Sequence, residues 1–196
     1  MRQNLVSLAL VSIALISCGG DADAAADHAA GGARRSGDVQ LVHACELIEA
    51  AQLDSVLGAL VGEPDSFTSG FDDDSSTKYS SCAYSGQEHT ILLKLTFPYS
   101  REFSSSEEWA QKVREDYATS VESMDDPELI ALMGNPQTHA LDGVGEVAAW
   151  IDTRESVDQV VLHTIHDGRQ RTWVELYAPD LEVARQVTEK LLPALP

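Results

Sequence analysis

DQVVLHTIHDGRQRTWVELYA, residues 158–178, decides the architecture. Residues 158–165 and 172–178 are rich in β-branched and aromatic side chains. Between them stands Asp167-Gly168, a dipeptide suited to a tight hairpin turn. Residues 145–152 read as a third strand just before this hairpin. Upstream, 79–84 and 90–97 read as two more strands around Ser85-Gly86-Gln87-Glu88. In the second of these, Ile91, Leu93, Leu95 and Phe97 alternate with Leu92, Lys94 and Thr96, the period of a strand with one well-buried face.

Helical signals fall between these strands. Residues 45–57 contain a first helix, most securely over 50–57, with Gly58 as its stop. Ser105-Ser106-Glu107-Glu108 opens a second, with Ser105 and Glu108 spaced as a capping box; Trp109, Val113, Tyr117 and Val121 then recur every four residues. Asp126-Pro127 starts a short helix ending at Gly134. Pro179-Asp180 begins the last helix, which places Leu181, Ala184, Val187 and Leu191 on one side. The order is α-ββ-α-βββ-α. Strands joined by tight turns, with few crossover helices, predict a mostly antiparallel sheet with three packed helices: one α+β domain over residues 41–196.

The chain has 196 residues, 43% of them apolar, which is ample for a single core. Against 13 Lys and Arg stand 32 Asp and Glu, a net charge of −19. Such a surface repels phosphate backbones and anionic head groups, so nucleic acid is not the expected partner.

Residues 1–17 carry one charge, Arg2, followed by an apolar run over 5–16 broken only by Ser7 and Ser12. Twelve residues are too few for a bilayer-spanning helix, which needs roughly 20, but suit the core of a signal peptide. The run ends in Leu15-Ile16-Ser17-Cys18, which resembles the bacterial lipobox. That resemblance implies cleavage before Cys18 and a diacylglycerol thioether on its sulfur. The chain is then held at a membrane by its lipid, with no membrane-spanning helix required. Residues 18–40, with the Ala- and Gly-rich stretch 19–37, read as a flexible tether. The expected location is extracytoplasmic: on the outer membrane where the envelope has two, on the outer face of the plasma membrane where it has one.

With Cys18 assigned to lipid, Cys45 and Cys82 remain as a pair in an oxidising compartment, and a structural disulfide is the default expectation. A redox or metal-binding thiol pair is the alternative, but no Cys-x-x-Cys is present.

Three stretches together carry a family likeness. Cys45-Glu46-Leu47-Ile48 precedes the helix ending in Leu57-Gly58, and Cys82-Ala83-Tyr84 lies in a strand. Leu141-Asp142-Gly143-Val144-Gly145-Glu146-Val147-Ala148-Ala149-Trp150 leads into the hairpin and the final helix. Over about residues 41–192, the chain resembles small extracytoplasmic bacterial lipoproteins of unknown function with one disulfide in an α/β sandwich. Some of those are similar to the PsbP-like fold. The resemblance implies a fold and no catalytic residues. Glu49 stands where that family places a hydroxyl cap, and Asp72-Asp73-Asp74 has no counterpart in it.

Other constellations are weak. Gly143-Val144-Gly145-Glu146-Val147-Ala148 has the outline of a dinucleotide loop, but the residues after it are β-like where that site needs a helix. No cofactor is expected. His163 and His166 stand three apart on a strand and its turn, and His43, His89 and His139 are scattered, so no zinc set is evident. Asp72, Asp73 and Asp74 are weak calcium ligands at most, without the spacing of a dedicated loop. No Gly-x-Ser-x-Gly or Ser-x-x-Lys appears. Trp173, Glu175 and Tyr177 share one strand face and form the best patch for an envelope protein or glycan. The expected function is that of a non-enzymatic, membrane-tethered binding or accessory module. The alternatives are an envelope enzyme whose site assembles only in space, and a calcium- or metal-responsive lipoprotein.

Overall fold

The hairpin at Asp167-Gly168 forms: β6 (Val160–Asp167) pairs antiparallel with β7 (Arg171–Ala178), with Asp167 opposite Arg171. The architecture is that of a computed structural model, which describes residues 39–71, 75–134, 136–154 and 158–196. The expected signal peptide over 1–17, Cys18, the expected tether over 19–37, and Asp72, Asp73 and Asp74 lie outside the described residues.

Five further strands complete the sheet: β1 (Asp65–Ser69), β2 (Lys78–Ser85), β3 (Thr90–Phe97), β4 (Thr138–Leu141) and β5 (Val147–Asp152). The sheet is antiparallel throughout, in the order β1-β2-β3-β7-β6-β5-β4. Two meanders, β1 to β3 and β4 to β7, therefore join edge to edge where β3 meets β7. The α+β reading holds, with two strands added to the expected five. β1, Asp-Ser-Phe-Thr-Ser, is exposed along its whole length and lacks apolar alternation. β4 is only four residues long. Neither carries the periodic signal by which a strand is read from sequence.

One face of the sheet is covered from β2 across β3 and β7 to β6, with the edge strand β1 left exposed on that side. Cys82 and Tyr84 of β2, Ile91, Leu93 and Leu95 of β3, and Val174 and Leu176 of β7 are all buried there. Each such large apolar side chain contributes about 1.5–3 kcal/mol on burial. The cover is made by α1 (Ala50–Leu57), a 3-10 turn at Ala44–Glu46, and α4 (Leu181–Leu191). The Asp180 carboxylate caps α4 by accepting from the Val183 amide at 2.8 Å. Cys45 and Cys82 are disulfide-bonded, with Cα atoms 5.1 Å apart, which ties the 3-10 turn to β2.

Glu49, at the start of α1, has no hydroxyl to cap with. The Gln52 side chain closes that end by accepting from the Glu49 amide at 3.0 Å. At the other end of α1, the β2–β3 turn approaches so closely that a Cβ on Gly86 would stand 2.2 Å from the Leu57 carbonyl oxygen. Only glycine fits there.

The opposite face is covered in part. α2 (Ser106–Glu122) packs on β4 and β5, and α3 (Pro127–Met133) packs on α2. Trp109, Ala110 and Val113 are buried against Val147, Ala149, Ile151 and Ile165. Tyr117 and Val121, farther along the same stripe, are only half-buried. The capping arrangement of α2 differs from the expected box. Ser105 Oγ accepts from the Glu108 amide at 3.2 Å, but the Glu108 carboxylate turns to Ser104, accepting from its amide at 2.8 Å and its hydroxyl at 2.7 Å. Those bonds hold the Glu108 carboxyl below the usual carboxylate range.

Candidate functional site

Antiparallel register places side chains of paired residues on the same face of the sheet, so the site can be built row by row. One row on the partly covered face runs Phe67, Ser81, Lys94, Glu175, His163, Ala149 across β1, β2, β3, β7, β6 and β5. At the β5 end α2 lies over it. At the β2 and β3 end Tyr79, Ser81, Leu92, Lys94 and Thr96 are half-buried and Phe67 is 59% exposed. The result is a polar floor with one wall, the helix α2.

Three ionisable groups stand side by side in that row. Lys94 faces Glu175 across the β3–β7 pair, and Glu175 faces His163 across β7–β6. Lys94 Nζ donates to the Tyr177 hydroxyl at 3.1 Å and lies 4.5 Å from the ring centroid. The Glu175 carboxylate lies two residues from Tyr177 on the same strand face, and each group shifts the titration of the other. His163 Nδ1 stands 3.8 Å from Glu175 Oε1, beyond hydrogen-bond reach. Neither ring nitrogen of His163 has a hydrogen-bond partner among the described residues, and the same is true of Trp173 Nε1.

Burial sets the protonation states. It lowers the His163 imidazole to about 3, with the Lys94 charge adding to the effect, so the ring is neutral. Burial raises the Glu175 carboxyl, against the opposing pull of Lys94 and of the Tyr177 hydroxyl. It also raises Tyr177 well above the usual phenol value, and the Glu175 charge pushes the same way. From α2, Asp116 adds to the rise of Glu175 and Tyr117 to that of Tyr177. Asp116 is itself ion-paired with Lys112.

The expected patch Trp173, Glu175 and Tyr177 lies on this face and divides in two. Glu175, whose side chain is 16% exposed, and Tyr177 belong to the polar cluster. Trp173 packs edge-on against Tyr99 and Trp109, at ring separations of 5.7 and 5.6 Å, and so extends the core under α2. His166, expected at the turn, is part of β6, and its odd spacing from His163 directs it to the other face. His139 stacks on Trp150 at 4.6 Å, away from the cluster. No group of three or more His, Cys, Asp and Glu among the described residues is placed to hold a metal ion. The Gly143–Gly145 segment turns directly into β5. Gly145 has φ +63°, and a Cβ on it would meet Thr164 Oγ1 at 2.3 Å. The glycines there serve a turn, with no helix N-terminus beyond them.

Lys94 and His163 are the functional candidates that the strand reading did not single out. A signal existed for the first: a lysine on the alternate face of an otherwise apolar strand. Its weight appears only when β3 is paired with β7, a pairing across the whole second half of the chain.

A buried neutral imidazole without partners gives a direct test. Replacing His163 with Leu is expected to raise stability at pH 7 by about 1–2 kcal/mol, because an unsatisfied buried polar group is removed. The unfolded chain takes up a proton near 6.5 and the folded chain only near 3, so titration of His163 costs the folded state nothing above 6.5 and progressively more as pH falls from there toward 3. Glu175, raised on folding, acts in the opposite sense above its ordinary range. Urea unfolding of both proteins should isolate the histidine. From pH 7.5 to 5.5 the wild type should lose about 1.4 kcal/mol relative to His163→Leu. Parallel pH profiles would refute the assignment.

Comparison with protein-family models, with curated proteins and with solved structures finds no match for this chain.

Proposed function

We propose that the chain is a membrane-tethered lipoprotein of the cell envelope that acts as a non-enzymatic binding module, with the half-covered sheet face as its contact surface. The observation that carries this reading is the row Lys94-Glu175-His163, laid across three neighbouring strands and walled on one side by α2. The lipobox at Cys18 supplies the tether, and no helix among the described residues is long and apolar enough to cross a membrane.

The protonation states favour binding over proton transfer. A general acid or base works best with a pKa near the working pH. Here His163 is far below neutrality and Tyr177 well above it. Such groups serve as fixed donors and acceptors. The convergence of Lys94, Glu175, Tyr177 and His163 also favours a second reading, an envelope enzyme using this cluster, with Glu175 as the proton carrier. Its signature is a pH profile that titrates with Glu175 and vanishes in Glu175→Gln.

Two measurements test the tethered module. Metabolic labelling with palmitate should mark the protein, and Cys18→Ser should abolish the label; label retained on that variant would refute the lipid anchor. A photo-crosslinking benzoylphenylalanine in place of Phe67 should yield an adduct in intact cells, whereas the same residue in place of Glu189, on α4 across the sheet, should not. Equal yields at both positions would refute the assigned face.

A further inference from the structure

We infer that the half-covered face binds a neutral glycan chain, with Lys94, Glu175 and Tyr177 as its floor and Phe67 and Tyr79 as its rim. This rests on the reading of that face as the contact surface and goes on to its ligand.

Charge makes the first selection. Lys94 and Glu175 stand directly opposite each other in register, so the floor joins one cation to one carboxyl group. An anionic ligand is repelled at a distance by a chain of net charge −19 and meets Glu175 at contact. A cationic ligand meets Lys94. A neutral ligand escapes both penalties.

Hydrogen bonding makes the second. Donors and acceptors alternate along the floor: the ammonium of Lys94, the carboxyl group of Glu175, and the hydroxyls of Tyr177 and Ser81. Ligands whose groups both donate and accept suit this pattern, and each free sugar hydroxyl does both. Purely donating or purely accepting ligands would leave part of the floor unsatisfied.

The rim makes the third. Phe67 is 59% exposed on the outermost strand, and its ring meets Tyr79 edge to face at 5.9 Å. A large apolar ring held in the open next to a polar floor offers a stacking surface for the C–H face of a pyranose. A sugar is a ligand with such an apolar face and a hydroxylated edge. The face is open at the β1 end, where β1 is the edge strand, so a chain of linked sugars can run past it.

Titration of the full chain, purified in detergent, by calorimetry and by tryptophan fluorescence tests this. Three probes separate the sources: a β-1,4-linked N-acetylglucosamine hexamer standing for a wall glycan backbone, maltohexaose for an α-glucan, and polygalacturonate for an acidic glycan. Saturable binding of a neutral hexamer at up to millimolar concentration is expected, with none for polygalacturonate. Phe67→Ala, on an exposed side chain, should weaken that binding about tenfold. The paired replacement Lys94→Met with Glu175→Gln, which keeps shape and removes both charges, should weaken it at least as much; retention of the thermal transition confirms that this variant is folded. Binding indifferent to both variants, stronger binding of the acidic glycan, or no binding of either neutral hexamer would each overturn the glycan assignment. In the last case the crosslink at residue 67 separates the two readings: a polypeptide adduct leaves the face as a binding surface for protein, and no adduct removes the face as well.

Discussion

Removing both half-cystines, Cys45→Ala with Cys82→Ala, is expected to destabilise the domain by about 4 kcal/mol. The bond spans a sequence separation of 37 residues, and the loop-entropy estimate for a ring of that size is about 4 kcal/mol. For a domain of this size the midpoint of thermal unfolding should fall by roughly 10–15 °C. The effect reaches beyond the unfolded chain, because Cys82 is fully buried and the bond holds the 3-10 turn against β2. Thiol titration of the denatured, unreduced soluble domain should find no free thiol. Two thiols, or a midpoint unchanged by the double replacement, would refute the staple.

Trp109→Ala should be the most damaging single substitution under α2, at about 3–5 kcal/mol. Trp109 is completely buried. Its ring meets those of Phe103, Trp173 and Tyr99 at 4.7, 5.6 and 6.1 Å, and its Nε1 donates to the His163 carbonyl at 3.2 Å. Truncation leaves a cavity among three aromatic rings and takes a bond from the strand that carries His163. Trp109→Phe keeps much of the volume and should recover a good part of the loss. Urea unfolding provides the measurement, and a loss below about 1 kcal/mol for the alanine variant would show that the second core does not depend on this residue.

The fold was legible wherever burial leaves a period. β3 alternates so cleanly that its bounds, Thr90–Phe97, are those read from sequence. The stripe Trp109, Val113, Tyr117 located α2, and Asp167-Gly168 located the central hairpin. β1 was not legible, because an edge strand open to water on both faces has no need of apolar residues. The site was legible in half. Glu175 and Tyr177 could be placed on one strand face by their spacing of two. Their partners Lys94 and His163 lie on other strands, and register between strands distant in sequence is fixed by the packed sheet, leaving no local mark.

β7 stands near the middle of the sheet although it is the last strand of the chain. Through most of the chain the two meanders exist only as separate half-sheets, each with an open edge, and the contact that joins them pairs Leu92 with Tyr177. Closing so long a loop is slow and comes late. The domain therefore assembles in a single final step once residues 171–178 are available, and a chain released without them is left with two unsatisfied strand edges. Cellular quality control would meet either a finished sheet or an aggregation-prone pair of halves, with little between.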